Sequence, residues 1–183
     1  VVEQGRSLTE ELPKHADKAA DKDKGLLQEM CYGVIRFLPE LEYEVQQLMK
    51  KPFVKKQRIN HFLLLVGIYQ IKHMRIPDHA AVSETVDATK ALKCHQIKGV
   101  INGVLRGYQR NQEKGKEDQD KLPDPIKFNH PGWFINKVKL AYPNNWQEIL
   151  NANQQKPPMW LRVNVIHHSV ENYSDLLKQA SIN

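Results

Sequence analysis

Apolar residues recur at helical spacing between residues 97 and 110. They occupy positions 97, 100, 101, 104, 105 and 108, the spacing of one buried helix face. Glycines at 99, 103 and 107 form a second row along the edge of that face, although each glycine inside a helix costs about 1 kcal/mol relative to alanine. Such a row predicts the close approach of a neighbouring helix. We therefore expect this helix to be the centre of an all-helical bundle, packed on two sides and basic on the third.

A second helix, predicted from about residue 55 to residue 73, is apolar on every side. Its central residues 62–69 read FLLLVGIY, a pattern typical of a helix that is buried all round. This run is the longest apolar stretch in the chain, and it is too short to span a bilayer. The sequence therefore predicts a buried core helix and no membrane partner.

Residues 113–125 separate two regions of different character. They are rich in charge, poor in apolar residues and end in Pro-Asp-Pro, which predicts a flexible linker between a helical domain at 1–112 and a second segment at 126–183. Within the second segment, residues 159–165 alternate in a way that predicts one strand, and Ser169 is expected to cap a last helix. The expected fold is an all-α bundle followed by a short, incomplete α+β segment, since a single strand needs partners from elsewhere.

The net charge of +6 is concentrated in the middle of the chain. Residues 45–110 hold twelve Lys and Arg against three Asp and Glu. This balance favours a polyanion partner, most often a nucleic acid, although a merely solvated surface is equally compatible with it. The candidate phosphate contacts are Lys55, Lys56, Arg58, Lys72, Arg75, Lys90, Lys93, Lys98, Arg106 and Arg110. We expect Lys72, Arg75, Arg106 and Arg110 to share one face, with no aromatic platform for stacking bases.

No catalytic or metal-binding constellation is evident in the sequence. The glycines at 99, 103 and 107 have helical spacing rather than that of a nucleotide-binding loop, and the eight histidines are scattered or adjacent. Cys31 and Cys94 are far apart and show neither metal nor redox spacing. We therefore assign no catalytic, metal or cofactor residue to this chain.

Several motifs resemble known families. Residues 75–86 (RIPDHAAVSETV) and 100–106 (VINGVLR) resemble the NusB antitermination-factor family of helical RNA-binding proteins. The later motifs are similar to bacterial Sun/Fmu-type ribosomal RNA cytosine-C5 methyltransferases, which place a NusB-like domain before a Rossmann-type core. These motifs are HPGWF at 130–134, YP at 142–143, Trp146, ANQ at 152–154 and PPMWLRVN at 157–164.

The resemblance implies the N-terminal region of such an enzyme, without its active site. The family's catalytic cysteines follow Pro and Thr, whereas Cys31 follows Met30 and Cys94 follows Lys93. The glycine-rich S-adenosylmethionine motif is missing as well, so this cofactor is implied only for an absent catalytic domain. The implied partners are small-subunit, 16S-type ribosomal RNA and the protein's own C-terminal catalytic domain, and the implied location is the cytoplasm.

Two alternatives remain open at this stage. One is a free-standing NusB-like antitermination factor, although such a protein would have no need of the segment after the linker. The other is a helical interaction module without affinity for RNA, whose positive charge is only solvated.

Overall fold

The structure is a computed structural model that describes residues 1–49, 51–54, 57–113, 122–155, 157–158 and 160–180. Its α-helices are α1 (Leu8–Ala16), α2 (Asp21–Arg36), α3 (Leu38–Leu48), α4 (Arg58–His73), α5 (Asp78–Ala91), α6 (Lys98–Glu113), α7 (Asp124–Lys127), α8 (Gly132–Ala141), α9 (Trp146–Gln154) and α10 (Val170–Gln179). A short 3-10 turn, His95–Ile97, leads into α6.

Helix α4 is the centre of the bundle, and the expectation that α6 occupies this place is wrong. Helix α4 packs against α2, α3, α5 and α6. Residues Leu64, Leu65 and Ile68 are fully buried, as the pattern of apolar residues on every side predicts. Because apolar side chains leave α4 in all directions, several helices can cover it at once.

Helix α6 is amphipathic, and only part of its predicted contact face is buried. Ile101, Leu105 and Tyr108 lie in the core, whereas Val100 is 45% exposed. A Cβ built on Gly99 or Gly103 would meet no atom within 4 Å. The predicted close approach along the glycine row is therefore wrong at these two positions, which face open space.

Helices α4 and α6 run in the same direction. A Cβ on Gly67 of α4 would lie 2.9 Å from the Leu105 Cδ2 atom of α6. Further along, Lys72 of α4 and Tyr108 of α6 line the same cleft. The ends of both helices therefore meet at one end of the bundle, which decides where their terminal cations lie.

The second segment has a small core of its own. Phe128, Ile135, Val138 and Leu150 are buried together between α7, α8 and α9. In α10 no residue is buried, but Ser169 caps the helix as predicted, since its Oγ accepts a hydrogen bond from the Asn172 N–H at 3.2 Å.

The predicted strand at 159–165 does not form in the described part of this stretch. Residues 160–164 have no regular secondary structure, Val165 lies in a turn, and Met159 falls outside the described residues. A strand needs a neighbour for its backbone N–H and C=O groups, and no described segment supplies one here. The described residues of the chain are thus helical where they are regular.

Asn129 joins the second segment to the bundle. Its Oδ1 accepts a hydrogen bond from the Glu40 backbone N–H at 3.0 Å, in the first turn of α3, where the N-cap residue Phe37 offers no side-chain bond. Helix α7 packs on α3 beside this contact. Most of the predicted linker, 114–121, lies outside the described residues.

Candidate nucleic-acid interface

The outer face of α6 presents two arginines to solvent. Arg106 and Arg110 are exposed because they project away from the buried face formed by Ile101, Leu105 and Tyr108. Neither arginine forms an ion pair with another described residue. A guanidinium free of carboxylates can donate two parallel hydrogen bonds to one phosphate.

Arg75 lies at the same end of the bundle as Arg110. It follows the end of α4 and is exposed, and α4 runs parallel to α6. Asp78 and Gln112, which follow Arg75 and Arg110 in the chain, line the same cleft. The expected grouping of Arg75, Arg106 and Arg110 is therefore compatible with the direction of the two helices.

Three other candidate cations, Lys90, Lys98 and Arg58, lie near the opposite end of the bundle, and each has a carboxylate nearby that partly offsets its charge. Lys90 Nζ lies 3.1 Å from Asp87 Oδ1, and Lys98 Nζ lies 3.8 Å from the same oxygen. The hydrogen bond from Lys90 lowers the pKa of Asp87, so this carboxylate stays charged between the two lysines. At the start of α4, Arg58 Nε lies 3.2 Å from Glu3 Oε1.

Of the three remaining candidates, the structure describes only Lys93. Lys93 is exposed and adopts a left-handed backbone conformation with φ of 54° just after α5. Lys55 and Lys56 lie outside the described residues. The eight described candidates are thus spread over both ends of the bundle.

Lys72 is not a surface cation, which corrects its predicted role in phosphate binding. Its side chain is only 20% exposed, and its Nζ lies 2.8 Å from Glu40 Oε1 and 2.6 Å from Glu44 Oε1. Burial alone would lower its pKa, but hydrogen bonds from Lys72 to the two carboxylates outweigh burial and raise the pKa. Two carboxylates beside the ammonium would also repel a phosphate.

A cleft of about 410 Å³ surrounds this ion cluster. Tyr43 and Tyr108 line it together with Glu40, Glu44 and Lys72, where α3, α4, α6 and α7 meet. Burial raises the pKa of the Tyr108 phenol, whose oxygen accepts a hydrogen bond from Gln112 Nε2 at 2.8 Å. The cleft combines both signs of charge and therefore lacks the excess of positive charge that a phosphate requires.

Exposed aromatic side chains occur on the second segment, where the sequence interpretation placed none. Among the described residues, the large aromatic side chains classed as exposed are Trp133, Tyr142 and Trp160. Lys137 Nζ lies 5.6 Å from the centroid of the Trp133 ring, one helical turn away on α8. The sequence signal that could have revealed this pair is the i, i+4 spacing of tryptophan and lysine on a predicted helix.

The described residues offer no group of three or more His, Cys, Asp and Glu side chains suited to a metal ion. In the same residues, no helix combines the length and the apolar character needed to cross a bilayer.

The helical bundle defines the class of protein. The model of the NusB family matches residues 1–110, and the chain belongs to this family. Residues 130–183 match a second model, described as "Methyltr_RsmF/B-like, ferredoxin-like domain". The second match covers the segment that a free-standing NusB-like factor would not need.

Relatives of the chain include proteins named ribosomal RNA small subunit methyltransferase B. The chain is 52% identical over 182 residues to the protein of this name from Yersinia enterocolitica, and equally so to that from Pectobacterium atrosepticum. The protein of that name from Yersinia pseudotuberculosis is 50% identical over 183 residues. All of this chain is covered in each comparison, but only 42% of each relative, so the chain spans less than half of their length. The predicted resemblance to the N-terminal part of such proteins is confirmed.

Proposed function

We propose that this chain is the RNA-binding N-terminal region of an S-adenosylmethionine-dependent methyltransferase that modifies a cytosine C5 atom in small-subunit ribosomal RNA. The observation that carries the proposal is the match of the whole chain, at 52% identity, to relatives named for small-subunit ribosomal RNA methylation. The same relatives extend well beyond this chain, so the catalytic domain and the cofactor site are assigned to that remaining part. We infer a cytoplasmic location from ribosomal RNA as the proposed substrate.

The bundle contributes binding by electrostatic contact with RNA phosphates. Arg75, Arg106 and Arg110 are exposed and have no carboxylate partner among the described residues, which leaves their guanidinium groups free for phosphate oxygens. Lys93 adds a fourth exposed cation at the other end of the bundle. Contacts of this kind position RNA without reading its bases, so binding by the bundle depends weakly on sequence and strongly on salt.

The second segment connects the RNA-binding bundle to the catalytic domain. Residues 130–183 match a ferredoxin-like domain, a fold that contains both strands and helices, whereas the described residues 160–164 have no regular secondary structure. We assign residues 159–165 as a strand of that domain in the longer protein. The predicted linker at 113–125 stays a proposal: α6 ends at Glu113, α7 begins at Asp124, and residues 114–121 lie outside the described residues.

The test is binding of structured RNA by the wild-type chain and by a double variant, Arg106→Glu with Arg110→Glu. Gel-shift measurements across a salt series give both the affinity and its salt dependence. We expect the double variant to bind unrelated structured RNAs more weakly by similar factors. The slope of log affinity against log salt should flatten by about one unit for each phosphate that the variant no longer neutralises. Lys18→Glu with Lys22→Glu is the matched control, since it changes the net charge equally at exposed positions near α1 and α2.

A control pair that weakens binding as much as the α6 pair would show that only net charge matters. An α6 variant with wild-type affinity and salt slope would contradict this interface. A wild-type chain that binds no RNA would leave the bundle as a helical interaction module. Circular dichroism should be unchanged in both variants because all four side chains are exposed.

A further inference from the structure

Trp133 is exposed to an extent that ordinary packing does not explain. Its side chain is 63% exposed at the start of α8, although tryptophan is highly buried on average in folded proteins. The bundle shows the opposite pattern, since none of its described large aromatic side chains is classed as exposed. Exposed arginines therefore lie on the bundle, and an exposed indole lies on the second segment.

The surroundings of Trp133 are positively charged. Lys137 Nζ lies 5.6 Å from the centroid of the indole ring, within the range of a cation–π contact. Helix α8 reads GWFINKVKLA and has no acidic residue, although its other lysine, Lys139, is paired with Asp124 Oδ2 at 2.6 Å. Lys137 is exposed and forms no ion pair with another described residue. An apolar ring beside an uncompensated ammonium is complementary to a ligand that combines a flat base with a phosphate.

The indole lies against the edge of a pair of stacked rings. The Phe134 ring lies edge-on to Trp133 with centroids 5.7 Å apart, and it stacks on His130 at 5.2 Å. His130 Nδ1 contacts the Phe128 carbonyl oxygen, and its Nε2 lies 3.4 Å from Asn153 Nδ2. These contacts fix the platform before a ligand arrives, which lowers the entropic cost of binding.

We propose that Trp133 and Lys137 form a binding site for an unpaired nucleotide of RNA. The base stacks on the open part of the indole, and the ammonium of Lys137 contacts the adjoining phosphate. Stacking tolerates any base, because every base has a π-face. The inference rests on the proposed function in that RNA is the ligand, but it assigns single-stranded RNA to the second segment and leaves phosphate contact with folded RNA to the bundle.

Fluorescence anisotropy with two labelled RNAs tests whether Trp133 contributes to the binding of single-stranded RNA and not to the binding of folded RNA. One probe is an oligouridylate of about ten nucleotides, within the site sizes typical of single-strand binders, and the other is a hairpin whose fully paired stem is closed by a non-nucleotide linker, so that it has no unpaired base. We expect Trp133→Ala to weaken oligouridylate binding by about fivefold or more, because loss of a stacking partner has effects of this size. Binding of the hairpin should stay unchanged.

Matched variants distinguish base stacking from nonspecific apolar contact. Leu140→Ala removes an 84% exposed apolar side chain from the same helix and should leave binding of both probes unchanged. Trp133→Phe should retain most of the affinity for oligouridylate, since it keeps an aromatic face. Lys137→Gln should reduce the salt slope for the single strand by about 0.7. Crosslinking of an iodouridine-substituted oligonucleotide should modify Trp133.

Two results would overturn the site. One is an unchanged oligouridylate affinity in Trp133→Ala. The other is a loss of oligouridylate affinity in Leu140→Ala that equals the loss in Trp133→Ala, which would show that the apolar surface of α8 matters rather than base stacking on Trp133. If the hairpin still binds in either case, the proposed function survives and only this site fails. If the wild-type chain binds neither RNA, the proposed function fails together with it.

Discussion

Gly33 of α2 lies directly against the phenol ring of Tyr69 of α4. A Cβ built on Gly33 would overlap the Cζ and Oη atoms of Tyr69 and would lie 2.6 Å from its Cε2 atom. Tyr69 is only 2% exposed, and its hydroxyl donates a hydrogen bond to Glu29 Oε1 at 3.1 Å. Burial and this hydrogen bond raise the pKa of Tyr69 to about 12, so the hydroxyl remains a donor at neutral pH. A Cβ at Gly33 would therefore require this buried, hydrogen-bonded ring to shift.

Gly33→Ala should therefore destabilise the bundle. We expect a loss of about 1–3 kcal/mol in the free energy of unfolding, the usual cost of overpacking. Gly103→Ala is the matched control, since a Cβ there meets nothing within 4 Å, and alanine in a helix should add up to about 1 kcal/mol. Urea denaturation followed by circular dichroism measures both variants. Equal stability of the two alanine variants would contradict this prediction, because it would show that α2 and α4 admit the added methyl group at position 33 without loss of stability.

Lys72→Met should destabilise the protein at neutral pH by leaving Glu40 and Glu44 without their shared cation. We expect a loss of about 1–3 kcal/mol, between the values for exposed and buried ion pairs. Lys178→Met is the control, because Lys178 and its partner Asp175 are both mostly exposed, and it should cost at most a few tenths of a kcal/mol. Thermal unfolding across a pH series measures the effect.

The pH dependence of the Lys72 variant has a definite sign. Burial alone would raise the pKa of Glu40, but hydrogen bonds from His73 and Lys72 outweigh burial and lower the pKa. The stability that this carboxylate contributes is therefore fully present above about pH 4.5 and is lost as the pH falls through the lowered folded-state pKa. The difference between wild type and Lys72→Met should shrink in acid. A difference that is constant down to acid denaturation would argue against the cluster as its source.

Asn129→Gly should loosen the start of α3. Asn129 has a φ of 51°, which glycine adopts without strain, so the variant removes only the side-chain acceptor for the Glu40 N–H. The loss of a helix cap typically costs about 1 kcal/mol. Hydrogen exchange should show faster exchange of the Glu40 amide, with Asn129→Asp as the control that keeps an acceptor. An equally protected Glu40 amide in the glycine variant would contradict the cap.

Periodicity predicted burial well where a helix is apolar on every side. Residues 62–69 leave no face for water, so the position of α4 inside the bundle followed directly. Glycine spacing was a poor guide, because a row of small residues looks the same whether it faces a helix or solvent. Gly33 and Gly67 lie at close helix contacts, whereas Gly99 and Gly103 face open space.

The count of charges along the chain did not reveal that Lys72 is paired with carboxylates, for a related reason. Its carboxylate partners Glu40 and Glu44 come from α3, before the basic stretch in which Lys72 was counted. Long-range ion pairing depends on how helices pack, which local composition does not encode. The family motifs succeeded because they extend over both parts of the chain and do not depend on the environment of any one side chain.

The cap on α3 also sets an order of events during synthesis. Asn129 follows Glu40 by 89 residues, so α1 to α6 have all been translated before the acceptor for the Glu40 N–H exists. Chains are made from the N-terminus, and domains begin to fold as they emerge from the ribosome. Until residue 129 is translated, the Glu40 N–H lacks this acceptor, so in a nascent chain released earlier the start of α3 is hydrogen-bonded by water instead.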